Sequence, residues 1–198
     1  ILVLLSTRWK STYLEFAIEL ANTMIDNFES KKNGAFFFST KEHKTPIQRA
    51  MYFSDDSLPN GNGVAIKGLL ELGSLLGNER FIKTAEKALK LGVTAADRWP
   101  STHSTLLVAL LNKMEPPPKV IIRYSTENDL KHFLLEASAK LPLRTRFYKV
   151  PETEKLLPGI LTETLLTEGS TTTAFLCSGN TVSPAANSVA ELLNLLEK

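Results

Sequence analysis

YFSDDSLPNGNGVAIKGLLELGSLL (residues 52–76) carries a polar loop rich in turn formers straight into an amphipathic helix. In the loop, residues 55–63, two adjacent carboxylates and several amides gather where the helix begins. The first N–H groups of a helix lack internal partners, so a loop of this kind is a candidate small-molecule site. Beyond it Val64, Ala65, Leu69, Leu72, Leu75 and Leu76 mark one helix face, and Gly77 ends the helix.

Upstream, Tyr13, Phe16, Ala17, Leu20, Met24, Ile25 and Phe28 recur at helical spacing with polar residues between them, which predicts a helix over residues 11–28. Asn33-Gly34 breaks it. Residues 35–39 and 47–51 then predict two short strands around the polar loop TKEHKTP. Downstream, Asn78 can cap a helix whose face is Phe81, Ile82, Ala85, Leu89, Val93 and Ala96, and Pro100 stops it. Ser101 or Thr102 can cap a third helix with Leu106, Leu107, Leu110 and Met114 as its stripe. Helices joined by such short connections are expected to pack as antiparallel neighbours.

Composition shifts at Glu115-Pro116-Pro117-Pro118, because three prolines cannot continue a helix. The expected division is therefore 1–115 and 116–198. After it, KVIIRY (Lys119–Tyr124) is a β-branched run, and Thr126 with Asp129 resembles a capping box. Leu130, Phe133, Leu134, Ala137 and Leu141 give a helix face, and RTRFYKV (residues 144–150) reads as a second strand. Strand, helix, strand over so short a span is a βαβ unit, whose strands pair in parallel. Pro158-Gly159 argues against one long helix over residues 151–169. Residues 172–176 read as a third strand and 186–197 as a closing helix with Val189, Leu192, Leu193 and Leu196 buried. The expected fold is mostly α with a small α/β part.

The chain has 198 residues, 43% of them hydrophobic, enough for a buried core. Lys and Arg number 23 against 21 Asp and Glu, and a net charge of +2 gives no field that argues for nucleic acid or an anionic membrane. A single cysteine, Cys177, cannot form an internal disulfide, and no Cys/His set has zinc spacing, so no metal and no cofactor is expected. The lone Gly-Asn-Gly does not complete a dinucleotide loop. The opening ILVLLSTRW lacks a charged n-region and a cleavage site, and it is too short to span a bilayer. It reads as the tail of an internal helix of a cytoplasmic protein.

Taken in order, GAFFFST (residues 34–40), the loop and helix quoted first, the polyproline step into KVIIRY, and TTAFLC (residues 172–177) resemble the C-terminal part of one family. It is the family of large thioredoxin-domain-containing proteins of the spermatogenesis-associated protein 20 and bacterial YyaL type. The resemblance implies a thioredoxin-like domain followed by an (α/α)6 toroid of the six-hairpin glycosidase and N-acylglucosamine 2-epimerase kind. This chain would hold the last toroid helices, residues 1–115, and a small α/β unit, residues 116–198. The missing N-terminal part would then be its natural partner. The family loop reads approximately D-G-A-x-P-S-G-N-S. Here Asn60 and Gly63 replace its small serines, and Thr181 and Val182 stand where a second cysteine often follows.

In such a toroid Asp55 and Asp56 would supply acid/base chemistry to a sugar ring, which needs one carboxyl protonated and one ionised. The plain alternative is that one of them caps the helix or tightens the turn. Asn60, Gly61 and Asn62 would bind substrate hydroxyls, against the ordinary role of Asn in a Gly-rich turn. His103, in the first turn of its helix, would be held neutral and suit a proton shuttle, or be a partly buried capping-region histidine. Neither His43 nor His132 has an obvious partner, Glu71 faces solvent or Lys67, and Cys177 reads as inert. Three functions follow as expectations: a carbohydrate-processing toroid with a small carbohydrate ligand, a non-catalytic scaffold or client-binding module serving the thioredoxin-like domain, and an interaction fragment.

Overall fold

The computed structural model describes residues 1–42, 48–178 and 181–197. Its helices are α1 (Leu2–Thr7), α2 (Ser11–Phe28), α3 (Gly61–Leu76), α4 (Glu79–Arg98), α5 (Ser104–Met114), α6 (Glu127–Lys140) and α7 (Val189–Leu196). The strands are β1 (Lys119–Tyr124), β2 (Arg146–Pro151), β3 (Thr172–Ser178) and β4 (Thr181–Val182). Short 3-10 turns lie at Pro100–Thr102 and Gly159–Glu163. The protein is mixed α/β. Two compact units divide it: a sheet unit, Ile1–Glu15 with Ser74–Asn78 and Pro117–Lys198, and a helical unit, Phe16–Gly73 with Glu79–Pro116. One break between the units lies between Pro116 and Pro117, and residues 1–15 group with the part that follows it.

In the helical unit α4 and α5 run antiparallel. Glu86 of α4 forms an ion pair with Lys113 of α5, while Gly92, later on α4, meets Leu106, earlier on α5. Gly92 is needed for that approach, since a Cβ there would come within 2.7 Å of Leu106 and 2.8 Å of Phe53. Arg80 ties α4 to α2 through Asp26, at 2.6 Å, and Asn22, at 3.0 Å.

Several boundaries differ from the sequence pattern. Helix α3 begins at Gly61 rather than Val64, because Asn60 caps it: the Gly63 N–H donates to Asn60 Oδ1 at 2.9 Å. Helix α5 begins at Ser104 with His103 in the cap position, and Ser101 and Thr102 instead form the preceding 3-10 turn. The buried stripe of α2 is Leu14, Ala17, Ala21 and Ile25, which leaves Phe16 and Leu20 exposed. On α5 only Leu106 and Ala109 are buried. Both helices carry more apolar residues than one face can hold, so spacing alone does not select the face.

The strands expected at 35–39 and 47–51 are not a ladder, although Ile47 lies outside the described residues. Phe36 makes an isolated antiparallel bridge to Glu29, and the Phe38 N–H donates to the Ala50 carbonyl at 2.8 Å. Phe36 needs no strand partner, because the Asn62 side chain occupies both its N–H and its carbonyl.

The sheet unit orders its strands β2-β1-β3-β4. As the βαβ pattern requires, β1 and β2 are parallel, with Ile121 opposite Tyr148, and β3 lies antiparallel on the other side of β1. Thr126 caps α6 by accepting from the Asp129 N–H, as the capping box foretold. β2 starts at Arg146 rather than 144, and α7 at Val189 rather than 186, where Ser188 caps it. One core packs Val120, Ile122 and Tyr124 with Leu130, Phe133 and Ala137 of α6 and Val189 and Leu192 of α7. The alternate residues Ile121 and Arg123 face the opposite way, where Trp9 packs edge-on against Tyr148 at 6.4 Å.

Gly159 has φ +61°, and a Cβ there would collide with the Leu76 carbonyl oxygen; Gly169 has φ +78° but open space around it. Gly169→Ala should therefore cost only the left-handed conformational penalty, about 1–2 kcal/mol. Gly159→Ala should cost clearly more than Gly169→Ala in urea denaturation, and equal losses would contradict the close approach.

Candidate functional site

The loop before α3 is built around one carboxylate. Asp55 Oδ1 accepts from the Asn60 N–H at 2.9 Å, and Oδ2 accepts from the Ser104 hydroxyl at 2.7 Å and the Thr105 N–H at 2.8 Å. The Asp55 N–H in turn donates to the Thr102 carbonyl at 2.7 Å. Asp55 thus supplies from a distance the cap that α5 lacks, since no side chain caps it at His103. The same carboxylate also fixes the residue that caps α3. Burial alone would raise the Asp55 pKa. The backbone N–H groups of Thr105 and Asn60 and the hydroxyls of Ser104 and Thr105 outweigh it and hold the group well below the usual carboxylate range.

The neighbouring groups divide into occupied and open. Asn62 is buried and fully occupied, accepting from Phe36 N–H at 2.7 Å and donating to the Phe36 and Tyr52 carbonyls, each at 2.9 Å. Gly61 is the exposed first residue of α3. Asn60 is buried, and its Nδ2 finds no acceptor among the described residues. Asp56 is exposed, with its N–H directed to the Leu58 carbonyl at 3.3 Å. His103 is buried, and its Nδ1 lies 2.8 Å from the Trp99 carbonyl, an acceptor that calls for a proton on Nδ1. The structure therefore gathers Asp55, Asn60, Asn62 and the start of α5 at His103 around the beginnings of two helices, and leaves Asp56 outside in solvent.

Comparison of the chain with protein-family models, with curated proteins and with solved structures returns no match. The site is accordingly read from its own geometry.

Elsewhere, Cys177 is buried, and burial pushes its thiol up to about 11, which keeps it protonated and unreactive at neutral pH. His132 is exposed on α6, and His43 lies outside the described residues. Among the described residues no three His, Cys, Asp or Glu side chains converge as a metal site, and no helix is long and apolar enough to cross a membrane. Sequence reasoning missed Arg123, a guanidinium only 2% exposed in the central strand. Its Nη2 donates to the Glu154 carbonyl at 2.8 Å, while Nε and Nη1 have no partner among the described residues. The one signal was a charge inside an otherwise β-branched run.

Asp55→Ala removes an acceptor shared by two helix starts and should cost about 2–4 kcal/mol in urea unfolding. Because the folded pKa is depressed, the stabilisation is present above the unfolded value of about 4 and is lost as pH falls below it. The stability gap between wild type and Asp55→Asn should be widest near neutrality and narrow in acid. A gap independent of pH would contradict the capping role.

Proposed function

We propose that this chain is the C-terminal part of a protein of the spermatogenesis-associated protein 20 and YyaL type, with the helical unit contributing the last hairpins of an (α/α)6 toroid. Its role is that of a non-catalytic scaffold or client-binding module serving a thioredoxin-like domain. One observation carries this reading over sugar chemistry: Asp55 and Asn62, two of the loop's polar side chains, are engaged within the fold. A general acid must hold a proton near neutral pH, and Asp55 is locked as an anion by donors from two helices. The Asn62 amide has no donor left for a substrate, since both its hydrogens are engaged, and its oxygen already accepts from the Phe36 N–H.

A second reading, carbohydrate binding or processing at the same loop, is favoured by the buried Asn60 Nδ2, which lacks an acceptor, and by the open carboxylate of Asp56. A sugar hydroxyl would satisfy the first and donate to the second. The sugar reading assigns Asp56 to the ligand, whereas the scaffold reading leaves it idle.

Saturation-transfer NMR of the full-length protein against amino sugars and oligosaccharides separates the two. The scaffold reading expects no transfer to any sugar and an Asp56→Ala variant indistinguishable from wild type. Transfer that disappears in Asp56→Ala would overturn it in favour of the sugar site.

A further inference from the structure

Three Asn-Gly pairs occur in this chain, Asn33-Gly34, Asn60-Gly61 and Asn62-Gly63. Such a pair is chemically labile, because glycine has no Cβ to hinder attack by its backbone nitrogen on the asparagine side chain before it. The fold treats the three differently. Asn62 is 4% exposed, its amide bonds Phe36 and Tyr52, and the Gly63 nitrogen that would attack it donates to Asn60 Oδ1. Asn60 is 6% exposed, and that same bond from Gly63 holds its side chain in the cap of α3.

Asn33 has neither protection. With Lys31 and Lys32 it forms an exposed turn after α2, and its side chain makes no hydrogen bond among the described residues. One contact restrains the attacking atom: the Gly34 N–H donates to the Ser30 carbonyl at 2.7 Å. A single bond closing an exposed turn opens at far lower free energy than the packed start of a helix.

We propose that Asn33 is a site of spontaneous deamidation, while the fold holds Asn60 and Asn62 as amides. The Gly34 nitrogen, having given its proton to base, bonds to Asn33 Cγ, and the Cγ–Nδ2 bond breaks to release ammonia. Water then opens the resulting succinimide at either carbonyl, which leaves aspartate or isoaspartate. The isoaspartyl product carries the main chain through one extra carbon, in a turn that has no slack. A Cβ on Gly34 would lie 2.7 Å from Lys87 Cβ, and across the turn the Ser30 and Phe37 N–H groups donate to the Ala35 and Phe28 carbonyls at 2.8 and 2.9 Å. Phe36, inside that turn's closing contacts, is the residue whose N–H and carbonyl bond Asn62, so conversion at residue 33 loosens the loop before α3. The inference holds whichever function that loop serves.

The test is peptide-mapping mass spectrometry of the folded protein incubated at mildly alkaline pH, beside the same protein in concentrated urea. In the folded protein Asn33 should convert about tenfold or more faster than Asn60 or Asn62, and in urea the three should convert at similar rates. Comparable folded rates at the three sites would overturn the proposal, as would the same ranking in urea, which would make the preference one of sequence alone. The isoaspartyl product, resolved from the aspartyl one by chromatography, should unfold at lower urea than Asn33→Asp, which has the added charge without the longer main chain. Equal midpoints would overturn the link from residue 33 to the loop.

Discussion

The helical unit depends on a single anion accepting hydrogen bonds from the starts of two helices. An α-helix begins with four N–H groups that its own carbonyls cannot reach, and α5 opens on His103, whose side chain caps nothing. Asp55 meets that need from fifty residues away and also holds the backbone of Asn60, which caps α3. The first turn of α3, Gly-Asn-Gly, has poor intrinsic helix propensity, so its geometry must come from such contacts rather than from the residues themselves.

What the sequence made legible was what neighbours in sequence decide. Helix α2 and strand β1 fall on the residues their periodicity marks, Gly77 closes α3 with φ +66°, and Thr126 caps α6 through Asp129. Errors cluster where a distant group intervenes. The start of α5 was misplaced because its cap comes from Asp55, and the expected strand at 35–39 is no ladder because the Asn62 side chain takes the place of a neighbouring strand at Phe36. The polar character of the loop before α3 was legible, but which of its side chains bind backbone was not. A carboxylate bound to backbone and one open to solvent look identical in a string of letters.

Arg123, in the sheet unit, shows the same limit. A β-branched run in a central strand announces burial on both faces, and the guanidinium in it tells the reader only that something polar must follow it inward. The partners are carbonyls of residues 152 and 154, just past the parallel strand, so the charge pins the exit of β2. Glu154 is also held at its side chain by the Ser11 hydroxyl, at 2.5 Å, which ties that exit to the first residue of α2.

The sheet unit is assembled from three separated stretches of chain, and the two stretches of the helical unit lie between them in sequence. On the ribosome, therefore, residues 1–15 emerge long before the strands that complete their unit. The apolar side of α1, with Leu5 fully buried in the final structure, must wait through that interval without its eventual partners.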